Sequence, residues 1–356
     1  MDPALYYGTY LGLDKVLSSQ HPKSFEAPNT PAHDEMLFII IHQAYELWFK
    51  QILFELEFVT NVFRKAHIND NSEDLNLVRH RLQRVMRIIE LLNNQISVLD
   101  TMTPLDFLEF RNLLTPSSGF QSLQFRLIEA RLGLKLEMRH NQEYYKRTNE
   151  GGFSEADYII ITEIEKEESI LMLINRWLER MPFFNPVYWG DHVRDRNANL
   201  PFWTEYRDLY KASLSEREAG KINHFDYVFF EQTGPLEKMD QEKLRAALSP
   251  AAMRAALFIM LYRDFPVFQT SFQILDSLVE IDLLLSTWRH KHIAMVSRMI
   301  GLRVGTGNTS GSGYLQGALS KHYIFKDLSS LSTFMIPRKH LPILPSPLVQ
   351  HLSFTT

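Results

Sequence analysis

Apolar residues recur every three to four positions along most of the chain, which is the spacing of helices that bury one face. The stretch TPAHDEMLFIIIHQAYELWFKQILFELEFVTNVF (30–63) predicts a long helix with Thr30 as its N-cap and Pro31 at its first position. Asp34 and Glu35 follow in the first turn, where the helix dipole favours negative charge. Apolar side chains surround much of this helix, so we expect it to be buried.

The same periodicity predicts further helices. One spans about Leu75 to Leu99, and another starts with Thr103 as N-cap and Pro104 as first residue. Residues 117–119 interrupt that helix before the next one begins, and residues 154–180 predict a single acidic amphipathic helix. No stretch alternates strictly between apolar and polar residues, so the pattern predicts no strand of any length.

The composition changes along the chain indicate how it is organised. Over 182–249 an aromatic stretch is interrupted by Pro182, Pro186, Gly190 and Pro201, and a charged segment with little core-forming apolar content follows it. We interpret 182–249 as a small helical insertion packed on the outside. Residues 30–181 and 250–356 are predicted to form the helical core, with Ser249–Pro250 restarting it, and residues 1–29 form an N-terminal segment. The predicted fold class is all-α, close to a helical bundle, in a single domain overall.

Composition narrows the possible chemistry. The 356 residues are 45% hydrophobic and 22% charged, as in ordinary globular proteins, and the net charge of −4 gives no reason to expect a nucleic acid partner. The absence of cysteine excludes disulfides, thiolate metal sites and c-type haem. There is no basic leader before an apolar segment and no run of about 18 apolar residues, so we expect a cytoplasmic protein without a membrane partner.

Two of the 13 histidines lie on apolar helical faces. His42 shares its face with Phe38, and His292, in the longest predicted helix (265–301), shares its face with Trp288. A single histidine of this kind is ordinarily a core residue with both nitrogens hydrogen-bonded, and that interpretation stays open for each. The pair, on separate helices, indicates instead the axial ligand and the distal residue of a haem pocket.

Other cofactor sites match the sequence less well. A di-iron site in a bundle needs two Glu-x-x-His motifs, and the chain has one, Glu137 to His140, in a charged segment. No H-E-x-x-H zinc motif and no Walker loop occur. Gly305, Gly307 and Gly311 miss the G-x-G-x-x-G spacing and follow a helix rather than a strand, which argues against a dinucleotide site.

Arg111 and the glycine-rich loop after the longest helix carry the remaining candidate chemistry. Arg111 lies close to Phe107 and Phe110 in sequence, and it is either a stacked or ion-paired structural residue or the group that binds a substrate carboxylate. The loop is either a helix terminator that begins at Gly301 or a ligand-binding loop in which Thr306 supplies a hydroxyl. Together, the arginine and the loop suit an α-amino acid.

Six segments spread along the chain carry a family resemblance. They are YGTYLGLDKVL (7–17), HDEMLFIIIHQAYELWFKQILFELE (33–57), LDFLEFRNLLTPSSGFQSLQFRLIE (105–129), WRHKHIAMVSRMIG (288–301), GTGNTSGSGYL (305–315) and STFMIPR (332–338). In this order they resemble the tryptophan 2,3-dioxygenase family, whose longer, animal-like form has an insertion similar to residues 182–249. The resemblance implies an all-α fold that binds b-type haem without covalent attachment and assembles as a homotetramer, a dimer of dimers.

The resemblance also implies roles for individual residues. His292 matches the proximal histidine that binds the haem iron, with Trp288 one turn before it, and His42 matches the distal histidine that hydrogen-bonds the indole N–H. The implied substrate contacts are Phe38 (aromatic wall), Arg111 (carboxylate), Thr306 (ammonium), Ser118 and Gly119 (distal pocket), and Tyr7 and Tyr10 from the N-terminal segment of a neighbouring subunit.

The implied activity is the insertion of both atoms of dioxygen across the indole C2–C3 bond of L-tryptophan to give N-formylkynurenine, the first step of the kynurenine pathway. The loop departs from the usual family pattern G-T-G-G-S-S-G, because Asn308 and Thr309 follow Gly307. One alternative is therefore a family-related haem monooxygenase that acts on an alkylated tryptophan. A second alternative is a helical haem or ligand-binding protein without catalytic activity.

Overall fold

A computed structural model of the protein describes residues 5–68, 72–134, 152–184, 189, 201–230, 247–301, 303 and 323–352. Its α-helices are α1 (Tyr7–Leu11), α2 (Leu13–Leu17), α3 (Asp34–Phe63), α4 (Glu73–Leu99), α5 (Pro104–Phe110), α6 (Leu123–Leu132), α7 (Glu155–Lys166), α8 (Ile170–Glu179), α9 (Pro201–Ser213), α10 (Lys221–Phe230), α11 (Pro250–Leu261), α12 (Pro266–Ile300), α13 (Lys326–Ser330) and α14 (Ser346–Leu352). The described residues contain no strand, which confirms the all-α prediction. None of the helices in these ranges is long and apolar enough to span a bilayer.

Three long helices, α3, α4 and α12, form the centre of the fold. Helix α12 packs along α4, and α4 packs along α3. Their contacting faces are apolar at helical spacing, and Leu56 of α3, Leu82 of α4 and Leu278 of α12 are completely buried. Each such side chain contributes about 1.5–3 kcal/mol by leaving water. This packing fixes the relative positions of α3 and α12, the helices that carry His42 and His292.

The start of α3 differs from the prediction. The helix begins at Asp34, so the N-cap and first position predicted at Thr30–Pro31 are wrong. The residues before α3 are held by contacts with an earlier part of the chain: Glu35 accepts a hydrogen bond from the backbone N–H of Ser24 at 2.8 Å, and Ala32 N donates to Ser24 Oγ at 2.9 Å. These bonds hold the backbone before Asp34 outside the helix, although Thr30 and Pro31 are residues typical of a helix start.

Two other predicted helix starts are confirmed. Thr103 caps α5 through a capping box, in which its hydroxyl accepts from the backbone N–H of Asp106 at 3.3 Å and the Asp106 carboxylate accepts from its backbone N–H at 2.8 Å. Pro104 takes the first helical position. Ser249 caps α11 in the same way with its side chain, and Pro250 follows as the first residue.

The helix predicted over 154–180 is two helices, α7 and α8, so the prediction of a single helix is wrong. Ser169 is extended and caps α8 with its side chain. Glu167 is also extended, and its carboxylate binds Arg64, the C-cap of α3, at 2.8 Å and Arg131 of α6 at 2.6 Å. The break therefore comes from a cap and from two long-range ion pairs, within a stretch that otherwise keeps helical periodicity.

The described helices within the segment 182–249 bury more apolar surface than the sequence indicated. Helix α10 packs on α11, so this segment shares the core of the protein. Five of its aromatic side chains are at most 1% exposed, namely Trp203, Tyr206, Tyr210, Phe225 and Phe229. The interpretation of little core-forming apolar content is therefore corrected: these residues recur at three- and four-residue spacing and form the inner faces of α9 and α10. The boundaries of the insertion stay a prediction.

Helix α12 is the longest described helix, with 35 residues from Pro266 to Ile300. Gly301 follows with a φ of 57°, in the left-handed region that glycine adopts without strain. Its backbone N–H donates to Ser297 O at 2.9 Å and so satisfies one of the last carbonyls of the helix. The prediction that Gly301 terminates the longest helix is confirmed.

The chain returns to α12 after the glycine-rich segment. The Asp282 carboxylate of α12 accepts a hydrogen bond from the backbone N–H of Phe325, and Ser286, one turn later, shares a hydrogen bond of 2.9 Å between its Oγ and Tyr323 Oη. Residues 304–322 lie outside the described residues. Tyr323 and Phe325, which follow this segment, are therefore hydrogen-bonded to α12, the helix that precedes it.

Candidate functional site

Two imidazoles from different helices, His42 of α3 and His292 of α12, lie close together. Burial lowers the pKa of both rings, and it lowers the pKa of His292 to about 4. The His42 ring and the Arg126 guanidinium lower the pKa of His292 further, so both groups are within electrostatic range of it. Both imidazoles are therefore neutral at pH 7.

From their exposure and their lowered pKa values we infer that the two rings line a recess of the protein. The side chain of His42 is exposed to solvent and that of His292 is half-buried, yet loss of solvation is the largest influence on the pKa of each. A side chain that touches solvent but is surrounded by protein on most sides lies on the wall of a concave space. Such a space is where small molecules and cofactors bind.

The tautomer of His42 follows from its hydrogen bond to the backbone. Its Nδ1 lies 2.6 Å from the carbonyl oxygen of Phe38, one turn earlier on α3. Because a carbonyl oxygen only accepts hydrogen bonds, the proton of the neutral ring is on Nδ1. The other ring nitrogen, Nε2, is then unprotonated and serves as an acceptor.

Aromatic rings fix the orientation of His292. The indole of Trp288, one turn earlier on α12, stacks on the imidazole with 5.2 Å between ring centroids and an angle of 4° between the planes. Phe125 of α6 lies 5.0 Å from Trp288, and Tyr45 of α3 meets it edge-on at 6.1 Å. Three helices therefore restrict rotation of the Trp288 ring, and the Trp288 ring restricts the imidazole.

A second aromatic cluster connects His42 to Arg111. The Phe38 ring lies 4.1 Å from the His42 ring and 5.6 Å from Phe110, the last residue of α5. Phe107 completes the cluster at 5.9 Å from Phe38. Arg111 follows Phe110 directly, and it is half-buried with its Nε inside the protein. The structure thus brings the predicted aromatic wall residue, the distal histidine and the junction that carries Arg111 into one neighbourhood.

Ser118 and Gly119 lie at a short turn tied to α3. Ser118 is the half-buried cap of the 3-10 turn that begins at Gly119. Ser122 and Gln124 follow that turn, and both donate hydrogen bonds to the Glu46 carboxylate of α3, at 2.6 and 2.8 Å. A Cβ added at Gly119 would meet no atom within 4 Å, so the space beside this glycine is open.

A buried charge cluster beside His292 was not predicted from the sequence. Glu129 of α6 is completely buried, and its two carboxylate oxygens bind Arg126 at 2.8 Å and Arg289 of α12 at 3.0 Å. The positive charge of Arg126 lowers the pKa of His292 and so favours its neutral form. The spacing of Arg126 and Glu129 is a local signal for half of this cluster. Arg289 is distant along the chain, so its part in the cluster has no local signal.

Among the described residues, Tyr7 and Tyr10 are predicted site residues that are not brought to this recess. Tyr7 and Tyr10 of α1 are 71% and 70% exposed, and no residue of the recess contacts them among the described interactions. Thr306, with Asn308 and Thr309, lies outside the described residues.

The protein groups around His292 are suited to an iron ion that takes most of its ligands from a cofactor rather than from the protein. Among the described residues, no group of three histidine, aspartate or glutamate side chains is arranged to hold a metal ion. The recess offers instead one neutral imidazole, held in orientation by an aromatic stack, as a single ligand from the protein. This arrangement is suited to a haem, in which four ligands come from the macrocycle.

Comparison with known proteins gives a consistent result. A family model described as tryptophan 2,3-dioxygenase matches residues 1–335. A tryptophan 2,3-dioxygenase of Bdellovibrio bacteriovorus is 40% identical over 380 residues, which covers 99% of each chain. Those of Mus musculus and Dictyostelium discoideum are each 39% identical, cover 99% and 98% of this chain, and are themselves covered over 87% and 88% of their length. The chain therefore belongs to the tryptophan 2,3-dioxygenase family.

Proposed function

We propose that this chain is a haem-dependent dioxygenase that inserts both atoms of dioxygen across the indole C2–C3 bond of L-tryptophan and gives N-formylkynurenine. The observation that carries the proposal is the pair of neutral imidazoles, His42 and His292, in one recess next to the Phe110–Arg111 junction, in a chain of this family. Bound b-type haem supplies the redox-active iron for dioxygen chemistry.

His292 is the axial ligand of the haem in this proposal. Its lowered pKa leaves a ring nitrogen free of a proton at neutral pH, as an iron ligand requires. The parallel stack with Trp288 keeps the imidazole plane in one orientation. Residues on three helices, α3, α6 and α12, surround this pair, so the ligand is held before the haem binds.

His42 orients the substrate on the distal side. The hydrogen bond from Nδ1 to Phe38 O leaves Nε2 as an acceptor, and an indole N–H is a donor of matching chemistry. A neutral imidazole with a lowered pKa is a weak base. It therefore positions the indole and polarises the N–H bond without removing the proton.

The amino-acid end of the substrate binds at the other residues of the recess. Arg111 pairs with the carboxylate through its planar guanidinium, and Phe38 provides an aromatic wall for the indole. Thr306 binds the ammonium, and Ser118 with Gly119 completes the distal pocket, where the space beside the glycine is open. Binding energy from the carboxylate and ammonium orients the reacting carbon, which is the usual use of remote contacts in catalysis.

We also propose a cytoplasmic homotetramer, a dimer of dimers, in which Tyr7 and Tyr10 enter the pocket of a neighbouring subunit. The support within this chain is the exposure of its N-terminal residues. Leu5, Tyr6, Tyr7, Tyr10 and Leu17 are each between 70% and 76% exposed. Exposed apolar residues at this density mark a contact surface.

No observation favours a monooxygenase or a non-catalytic binding protein. The similar proteins of Bdellovibrio, mouse and Dictyostelium all bear the name tryptophan 2,3-dioxygenase. The loop residues Asn308 and Thr309, which raised the monooxygenase alternative, lie outside the described residues.

The test is product analysis with isotopically labelled dioxygen. Purified protein, loaded with haem and reduced, is incubated with L-tryptophan and the labelled gas, and the product is analysed by mass spectrometry. We expect N-formylkynurenine with two labelled oxygen atoms, whereas one labelled atom or none contradicts the proposal. His292→Gln should abolish product formation, and His290→Gln, which changes an exposed histidine of the same helix, is the matched control.

A further inference from the structure

A short stretch of α4 is hydrogen-bonded to both of the helices that carry the site histidines. On the side of α3, Tyr45 Oη donates to Leu92 O at 2.8 Å. Three residues further along α4, Gln95 Nε2 donates to Ile41 O at 3.2 Å. This carbonyl belongs to the peptide group that joins Ile41 to His42, so Gln95 holds the backbone at His42 directly.

The same stretch is hydrogen-bonded to α12. Asn93 Nδ2 donates to Leu284 O at 3.0 Å, across the interface between the two helices. In the opposite direction, Lys291 Nζ donates to Asn93 O at 3.1 Å, and Lys291 immediately precedes His292. Residues 92–95 of α4 therefore make two hydrogen bonds with α3 and two with α12, and each pair includes a bond to the residue just before a site histidine.

Hydrogen bonds of this kind restrict how one helix can slide along another. Apolar packing between helices is non-directional, whereas a hydrogen bond weakens steeply when its donor and acceptor move apart or out of line. Bonds from one segment to both neighbours therefore fix where α3 and α12 lie along α4. They also fix the distance between His42 and His292, because each histidine is a rigid part of its helix.

The environment of Asn93 indicates a role other than stability. It is 5% exposed, and its Nδ2 also donates to Ile89 O at 3.1 Å. Because carbonyl oxygens only accept, its two donor bonds identify which amide atom is the nitrogen. The other atom, Oδ1, is buried without a hydrogen bond to any described residue, which is unfavourable. A leucine on this apolar face of α4 would avoid the unpaired oxygen, but it would make no bond to α12.

We propose that Asn93 and Gln95 are positioning residues that set the spacing between His42 and His292. Gln95 fixes α3 and Asn93 fixes α12 against the same segment of α4, so both imidazoles are positioned relative to one element. The inference rests on the proposed function, in which the two imidazoles take the proximal and distal sides of the haem. Because a misplacement of about 1 Å can lower a rate about a hundredfold, this spacing affects catalysis.

Vibrational spectroscopy of the haem-loaded ferrous protein measures the two sides separately. Gln95→Met removes the bond to α3, and it should shift the C–O stretch of bound carbon monoxide, which reports on the distal side. Asn93→Leu removes the bond to α12, and it should shift the iron–histidine stretch, which reports on the axial ligand. Each variant should also lower kcat/KM for L-tryptophan roughly tenfold or more.

Asn94→Leu is the matched control, because Asn94 lies between the two positioning residues and is exposed. It should keep both stretches at the wild-type frequencies. Lys291→Met removes the other bond to α12 from an exposed position, and it should shift the iron–histidine stretch in the same direction as Asn93→Leu. The proposal is overturned if Asn93→Leu and Gln95→Met leave both stretches unchanged, whatever their stability in urea, since a purely structural role predicts that result.

A distance measurement that needs no haem separates this outcome from that of the proposed function. The chain has no cysteine, so Lys50→Cys on α3 and His290→Cys on α12, both at exposed positions, can each carry a nitroxide label. Double electron–electron resonance, with labelled chains diluted in unlabelled ones, then measures the distance between the labels within one chain.

We expect Asn93→Leu combined with Gln95→Met to shift or broaden the distribution of this distance. The result is expected also if the protein binds no haem or forms no N-formylkynurenine, which would refute the proposed function alone. An unchanged distribution overturns the positioning role even where the dioxygenase activity is confirmed.

Discussion

Asp282 of α12 is a buried carboxyl whose negative charge is costly. It is 4% exposed, and burial raises its pKa to about 6, against the opposing effects of hydrogen bonds from the backbone N–H groups of Phe325 and Ile324 and of the Arg289 charge. Asp282→Asn keeps the shape of the side chain and an acceptor oxygen for Phe325, and it removes the titration. The difference between wild type and variant therefore isolates one proton.

The sign and size of the effect follow from the two pKa values. The carboxyl binds its proton more tightly in the folded protein than in the unfolded chain, so its contribution to the free energy of unfolding increases as the pH falls. This contribution is complete below the unfolded value of 3.8 and is lost as the pH rises through about 6. Between pH 7 and pH 5 a single group with these values adds roughly 1 kcal/mol to the stability of the wild type.

Urea denaturation of the haem-loaded protein, followed by circular dichroism at pH 5, 6 and 7, measures this contribution. The free energy of unfolding of the wild type minus that of Asp282→Asn should increase by roughly 1 kcal/mol from pH 7 to pH 5. Asp276→Asn, at an exposed position of the same helix, is the matched control and should show the pH dependence of the wild type. A difference between wild type and Asp282→Asn that does not change with pH refutes the reasoning.

Three further substitutions test the recess and its surroundings. Arg111→Ala should lower kcat/KM for L-tryptophan roughly ten- to a hundredfold, since it removes charge-assisted hydrogen bonds; Arg111→Lys should lie in between, and unchanged steady-state kinetics contradict the substrate pose. His292→Ala should fold with normal circular dichroism but purify without a Soret band, so full haem retention contradicts its role as axial ligand. Glu129→Gln should lower the free energy of unfolding in urea by about 3–5 kcal/mol, because two buried guanidinium groups lose their shared carboxylate; a change below 1 kcal/mol argues against the cluster.

Helix starts could be predicted from the sequence where the cap is a local interaction. The capping box of Thr103 and Asp106 is complete within four residues, and it forms as predicted. Thr30 is also followed by proline, but His33 stands where a capping box needs an acidic residue, and the chain before α3 is held by Ser24 and Glu35. The same reasoning explains the break at Glu167, whose two arginine partners belong to other helices. A local cap pattern does not predict the helix boundary where contacts with distant residues hold the same backbone in another conformation.

In the candidate site, too, the sequence predicts the features that depend on local spacing and misses those that depend on distant contacts. Helical periodicity was sufficient to select His42 and His292 from the other histidines, because each lies on an apolar face of a long helix. Their proximity and the link from Glu129 to Arg289 depend on contacts between helices, which no spacing within one helix encodes. The unpartnered oxygen of Asn93 is likewise visible only once both of its donor bonds are known.

Helix α12 connects these features physically. It carries His292, and it holds the chain that follows the glycine-rich segment through Asp282 and Ser286. Packed helices move as rigid elements, because close-packed cores resist local deformation. The chain that follows the glycine-rich segment is therefore fixed relative to His292 by a single helix.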